Sequence, residues 1–103
     1  REVINSPRIP IVARFSQAIR VGNTLYVSGM RGIDPQTGKV IAGGIKKQTR
    51  QALQNLTWVL EAGRMTIGDV AKCTVFITNK NDFGVVNAEY MKVFSEAPPA
   101  RTV

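Results

Sequence analysis

Histidine is absent from the sequence, and with it goes the side chain most often used as a general base near neutral pH. Ser-His-Asp and Cys-His nucleophilic sites and imidazole-bearing metal sites are excluded for the same reason. Chemistry here must draw on carboxylates, Arg, Lys, hydroxyls, backbone groups or water. Cysteine occurs once, at Cys73, so no internal disulfide forms, which agrees with a reducing compartment, the cytoplasm or the mitochondrion. No apolar run approaches the roughly 18 residues of a membrane span, and the first residues lack the apolar core of a secretory signal. The expectation is a soluble intracellular chain. Acidic residues are scarce: 7 Asp plus Glu stand against 14 Lys plus Arg, a net charge of +7, which points to anionic partners. Only Lys46 and Lys47 are adjacent, so the excess is not a basic tail.

What is present describes one globular domain. A chain of 103 residues is long enough to bury one core and too short for two. Hydrophobic residues at 44% and charged residues at 20% lie clear of disordered or disulfide-scaffold compositions. There is no repeat, linker or low-complexity segment. The first third reads as a small antiparallel sheet, with strand character around Ile4, over Phe15 to Val21 and over Thr24 to Ser28. Gly22-Asn23 between the last two is a hairpin signal, because both residues tolerate the positive φ of primed turns. Asp34-Pro35-Gln36-Thr37-Gly38 is a second turn.

From Gly43-Gly44 the period changes. Ile45, Ala52, Leu53, Leu56, Val59 and Leu60 share one helical face, and Gly63 makes a C′ stop. Val70 to Thr78 then reads as a strand whose Ala71, Cys73, Val75 and Ile77 meet that helix. Asn81-Asp82 offers an N-cap to a second helix carrying Phe83, Val86, Tyr90, Met91 and Phe94, which ends near Ser95 before Pro98-Pro99. The order is ββ(β)αβα. Residues 1–103 stop where a final strand pairing would begin, so a C-terminal strand is expected to be missing from this single domain.

Several residues are candidates for chemistry, each with a plainer alternative. Arg101 follows a rigid Pro-Pro-Ala segment, and a guanidinium held in place suits bidentate capture of a carboxylate; it could equally be a surface arginine. Ser28-Gly29 sits where a strand runs out, either as a hydroxyl beside an approachable backbone or as an ordinary strand exit. Asn87 lies four residues after Phe83 and three before Tyr90, so its amide points along that face into a cleft unless it is simply solvated. Cys73 reads as a buried, inert thiol rather than a nucleophile. Gly43-Gly44 with Lys46 and Lys47 has the makings of a helix-N-terminal anion site but lacks P-loop spacing. Trp58, Phe76 and Tyr26 read as core or interface residues, since no RNA-recognition pattern surrounds them.

Taken in order, a set of segments resembles one family. They are Phe15-Ser16-Gln17-Ala18, Gly22 to Gly29, Asp34-Pro35 with Thr37-Gly38, Gly43-Gly44-Ile45 with Gln48-Thr49, Gln51 to Leu56, Val70 to Phe76, Asn81-Asp82-Phe83 with Asn87 and Tyr90, and Pro99-Ala100-Arg101. The set is similar to the RidA family, also called YjgF or L-PSP endoribonuclease-like proteins. The resemblance implies an α+β, chorismate-mutase-like fold, a ferredoxin-like layered sheet packed on one side by two helices. It also implies a homotrimer with ligand sites between subunits. The implied activity is hydrolysis of reactive enamines and imines, 2-aminoacrylate and 2-iminopropanoate among them, to 2-keto acids and ammonia without a cofactor. Arg101 would clamp the substrate carboxylate, Ser28, the Gly29 backbone and Asn87 would line the pocket, and the Val103 carbonyl would help hold the attacking water.

Two departures accompany the resemblance. The family's Pro-Tyr-Ser-Gln is replaced here by Arg14-Phe15-Ser16-Gln17, which keeps an aromatic wall at Phe15 but loses the hydroxyl. The family's water-orienting glutamate lies beyond Arg101, past the last residue of this sequence. The rival to the deaminase is an RNA-binding endoribonuclease or translation inhibitor, compatible with the net charge. A third possibility is a regulatory or chaperone-like protein that binds small carboxylates without turnover.

Overall fold

Gly22, at φ +59°, turns the chain as its composition predicts and brings β2 (Ala18–Val21) back against β3 (Thr24–Val27), with Val21 opposite Thr24 and Ala18 opposite Val27. β1 (Glu2–Ile4) pairs antiparallel on the other edge of β2. In the computed structural model, which describes residues 1–11 and 14–103, the chain continues through α1 (Gly44–Ala62), β4 (Lys72–Thr74), α2 (Phe83–Val93) and β5 (Ala100–Thr102). The strands fall into a three-stranded antiparallel sheet, β1-β2-β3, and a parallel pair, β4-β5. The order βββαβαβ is the expected α+β arrangement with one more strand. Ala100–Thr102 already pairs alongside β4, where the sequence predicts the chain to stop before pairing.

α1 covers the first sheet. Period-two alternation turns Ile4, Ala18, Leu25 and Val27 to one side, and Val59 of α1, fully buried, packs among them with Met30 and Ala62. A second apolar group, Leu60, Val86, Tyr90 and Phe94, is also buried. Between the two helices Glu89, only 2% exposed, accepts a hydrogen bond from Arg50 Nε at 2.5 Å and lies 2.9 Å from Lys92 Nζ. A buried carboxylate is tolerated only when paired. The Lys92 ammonium beside it, together with Arg50, holds its carboxyl below the ordinary carboxylate range against the desolvation that would raise it.

Buried amides join the loops to this frame. Asn55, in the middle of α1, donates to the carbonyls of Arg31 and Ile33 and accepts from Gln51. The Gln17 side chain accepts from the Ser6 amide at 2.7 Å and donates to the Ile9 carbonyl, and its backbone N–H donates to Asn5 Oδ1 at 3.0 Å. That brace accompanies the start of β2 at Ala18 rather than at Phe15: the Gln17 N–H and the Ser16 carbonyl are taken by the Asn5 and Ser28 side chains, while the Gln17 carbonyl accepts from the Ser28 amide. The post-helix strand is likewise shorter than Val70–Thr78. Asp82 stands at the N-cap of α2 as expected but makes no side-chain capping bond; the side-chain cap is one turn earlier, where Asn79 accepts from the Asn81 amide at 2.9 Å at the start of the 3-10 turn Lys80–Asp82.

The end of α1 corrects another prediction. Met65 N–H donates to Leu60 and Arg64 N–H to Glu61, the two bonds of a Schellman motif, and the left-handed C′ residue is Arg64, at φ +58°. Gly63 has φ −85°; an added Cβ there would sit 2.7 Å from Leu25 Cδ2, so any other residue requires the Leu25 side chain to move. Of the aromatics predicted as core or interface, Tyr26 and Phe76 are 62% and 91% exposed, so neither belongs to this chain's core. Among the described residues no helix is long and apolar enough to cross a membrane.

Candidate functional site

β5 carries Arg101 in register with Cys73 of β4. Its backbone is fixed from both ends, because Ala100 N–H donates to Ala71, Val75 N–H to Thr102, and Lys72 Nζ to Thr102 Oγ1. The guanidinium reaches α2. Nη1 donates to Asn87 Oδ1 at 2.7 Å, and Cζ lies 4.6 Å from the centroid of the Tyr90 ring and 5.6 Å from that of Phe83. Phe83, Asn87 and Tyr90 recur at helical spacing, so one face of α2 presents all three.

Tyr90 is 4% exposed and packs on Phe94, with ring centroids 4.6 Å apart. Its hydroxyl has no hydrogen bond of ordinary geometry among the described residues. Burial, and then the neighbouring Cys73 thiol, push its pKa up to about 12, partly opposed by Arg101. Tyr90 is therefore a neutral ring beside a cation throughout the physiological range.

The other candidates gather elsewhere. Ser28, just past β3, donates from Oγ to the Ser16 carbonyl at 2.6 Å and from its amide to Gln17, so its hydroxyl proton is already engaged. Gly29 is exposed, and a Cβ built there would meet nothing within 4 Å; the backbone is open to approach. Phe15, one residue before the Ser16 carbonyl that Ser28 binds, is 55% exposed, and Val103 is half exposed at the end of β5. The structure thus brings Arg101 and Asn87 together, and separately Phe15, Ser28 and Gly29 around the exit of the first sheet. Among the described residues no hydrogen bond, ion pair or ring contact joins the two groups. Phe83 and Tyr90 were not foreseen as neighbours of Arg101, although the spacing that singles out Asn87 contains them.

Two further features account for themselves. Gly43 and Gly44, at φ +115° and +85°, supply the left-handed approach into α1, which explains the glycines without an anion. A cavity of about 510 Å³ is lined by Arg8, Asp34, Gln36, Gln51 and Trp58 among others, and none of the candidates above borders it. Among the described residues no group of three or more Cys, Asp or Glu side chains could hold a metal ion.

Comparison with known proteins draws these observations together. The family profile described as Endoribonuclease L-PSP matches residues 5–103. A RutC family protein of Pyrococcus horikoshii is 43% identical over 102 residues, 98% of this chain and 81% of that protein. A mouse protein named 2-iminobutanoate/2-iminopropanoate deaminase is 39% identical over 98% of this chain and 76% of its own length. The crystal structure of RidA from an Antarctic Psychrobacter superposes with a TM-score of 0.93 at 38% identity, covering 99% of this chain and 83% of that one.

Proposed function

The chain belongs to the endoribonuclease L-PSP family, also called RidA, and from that premise we propose that it hydrolyses reactive enamines and imines of the 2-aminoacrylate and 2-iminopropanoate type to 2-oxo acids and ammonia. The observation that carries the proposal is the preorganised Arg101. A planar cation fixed at both its backbone and its head is suited to a carboxylate, the group such imines share. The mouse relative's name supplies the chemistry that a carboxylate clamp alone would leave open.

In this reading Arg101 binds the substrate carboxylate, Asn87 completes that wall, and Phe15, Ser28 and the Gly29 backbone line the rest of the pocket. The Val103 carbonyl helps hold a water. The water oxygen adds to the imine carbon as the nitrogen takes up a proton, giving an amino alcohol. The C–N bond then breaks, the hydroxyl proton passes to nitrogen, and ammonia leaves behind the new carbonyl. An imine is already electrophilic, so positioning and electrostatics suffice without histidine or a cofactor.

The separation of the two residue groups within one chain supports a site assembled between copies, in a homotrimer. The outer face of the first sheet offers a surface for such assembly: Val3, Ile19 and Tyr26 lie side by side across three strands, with Val3 52% and Tyr26 62% exposed. Contiguous exposed apolar residues of this kind mark interaction surfaces. The test is turnover. With 2-iminopropanoate generated in situ, the chain is expected to accelerate release of pyruvate over the uncatalysed rate; release at the uncatalysed rate overturns the proposal. A second reading, contact with RNA, rests on the net charge of +7 and predicts an affinity that falls steeply with salt.

A further inference from the structure

Arg101 is fixed at both ends of its side chain. Its Cα belongs to a strand pinned to β4, and its head meets three residues of α2, with Asn87 taking one N–H and the rings of Tyr90 and Phe83 lying 4.6 and 5.6 Å from Cζ. An arginine that would otherwise sample many rotamers is thereby restricted before any ligand arrives. The Tyr90 ring is buried by its own packing. Phe83 is different: it is 41% exposed at the first turn of α2, where core packing alone does not account for a large ring, and the cation it faces is Arg101.

We propose that Phe83 and Tyr90 form an aromatic cage that positions the Arg101 guanidinium, so that the edge not taken by Asn87 is presented to a single planar carboxylate. Both rings act through Arg101 and are positioning residues. Guanidinium stacking on aromatic faces and bidentate pairing along its edge use different parts of the group, so the two are compatible. The neutral Tyr90 hydroxyl is consistent with this role, since a phenolate would compete with an incoming carboxylate for the cation. The carboxylate as ligand rests on the deaminase reading; the cage itself does not.

The experiment therefore has two arms. In proton–nitrogen correlation spectra, the Arg101 side-chain Nε–H signal of the wild type is expected to be displaced by the ring currents of the cage. Phe83→Leu should move it towards the position of a free arginine, and Phe83→Tyr, which restores a ring, should bring it back. In the second arm, the apparent Kd for 2-oxobutanoate is expected to rise on the order of 5- to 20-fold in Phe83→Leu, from the range of one cation–π contact. It should recover in Phe83→Tyr, while the much weaker binding of the uncharged 2-oxobutanamide stays unchanged. An Nε–H signal unmoved by Phe83→Leu overturns the cage. So does an equal loss of carboxylate and amide binding, which is the mark of general damage to the fold. A wild type that binds 2-oxobutanoate but turns over no imine refutes the deaminase reading and leaves the cage supported. One that binds no carboxylate refutes the carboxylate as ligand, and the spectra still decide the cage.

Discussion

Replacing Arg64 with glycine should raise the melting temperature of the protein. Arg64 is the C′ residue of α1, at φ +58°, and is exposed; among the described residues its side chain makes no hydrogen bond or ion pair. Holding an L-residue in the left-handed region costs roughly 1–2 kcal/mol, whereas glycine occupies it freely but loses roughly 0.5–1 kcal/mol more chain entropy on folding. The difference favours the variant by about 0.5–1 kcal/mol. For a chain of this size that corresponds to roughly 2–8 °C in Tm. Arg64→Ala keeps the left-handed cost and should gain nothing, which separates the backbone effect from the loss of a charge in a chain already at +7. Thermal melts followed by circular dichroism, at one protein concentration because association makes Tm concentration-dependent, give the answer. A Tm for Arg64→Gly at or below wild type would refute the reasoning, as would an equal rise in Arg64→Ala.

Gly32→Ala should destabilise by about 1–3 kcal/mol, because its Cβ would lie 2.6 Å from the Gln48 carbonyl oxygen and 2.7 Å from Gln48 Cα, and the backbone of α1 cannot swing aside; an unchanged denaturation midpoint would contradict this. Glu89 contributes a pH dependence of definite sign. Its folded pKa is lowered, so its contribution is present above the unfolded value near 4.5 and is lost as pH falls through the folded value. Glu89→Gln should flatten the acid limb of the stability curve, and an acid limb identical to wild type would show that the Arg50 and Lys92 contacts carry no linkage. Tyr90→Phe should remove the alkaline counterpart: a hydroxyl pushed up to about 12 stabilises the fold below pH 10 and loses that contribution as pH rises towards 12.

How much of this was legible in the sequence depends on how far each cause lies along the chain. The Gly22-Asn23 hairpin and the amphipathic face of α1 follow from local turn chemistry and period, and both appear as predicted. Gly63 was misassigned because the left-handed C′ position falls one residue on, at Arg64, and the side chain that a Cβ at 63 would meet, Leu25, is a neighbour only in space. β2 starts late, where Gln17 is claimed by Asn5, Ser6 and Ile9, which no strand propensity encodes. Apolar patterning cannot distinguish a ring that packs inside its own chain from one left exposed, hence Phe76 and Tyr26. At the candidate site the helical spacing of Phe83, Asn87 and Tyr90 was readable, but their convergence on Arg101 required the β4-β5 pairing. That pairing also sets Cys73 beside Arg101, a proximity that period and spacing do not reveal.

The central claim is that Arg101 binds the carboxylate of a reactive imine, and the most direct measurement is kcat/KM for 2-iminopropanoate hydrolysis in the wild type and in Arg101→Ala. Two charge-assisted hydrogen bonds at about 1.5–3 kcal/mol each correspond to a loss of roughly 10²–10⁴-fold when both are removed. A loss of that size, with folding intact by circular dichroism, is the predicted result; equal kcat/KM in the two proteins would contradict it.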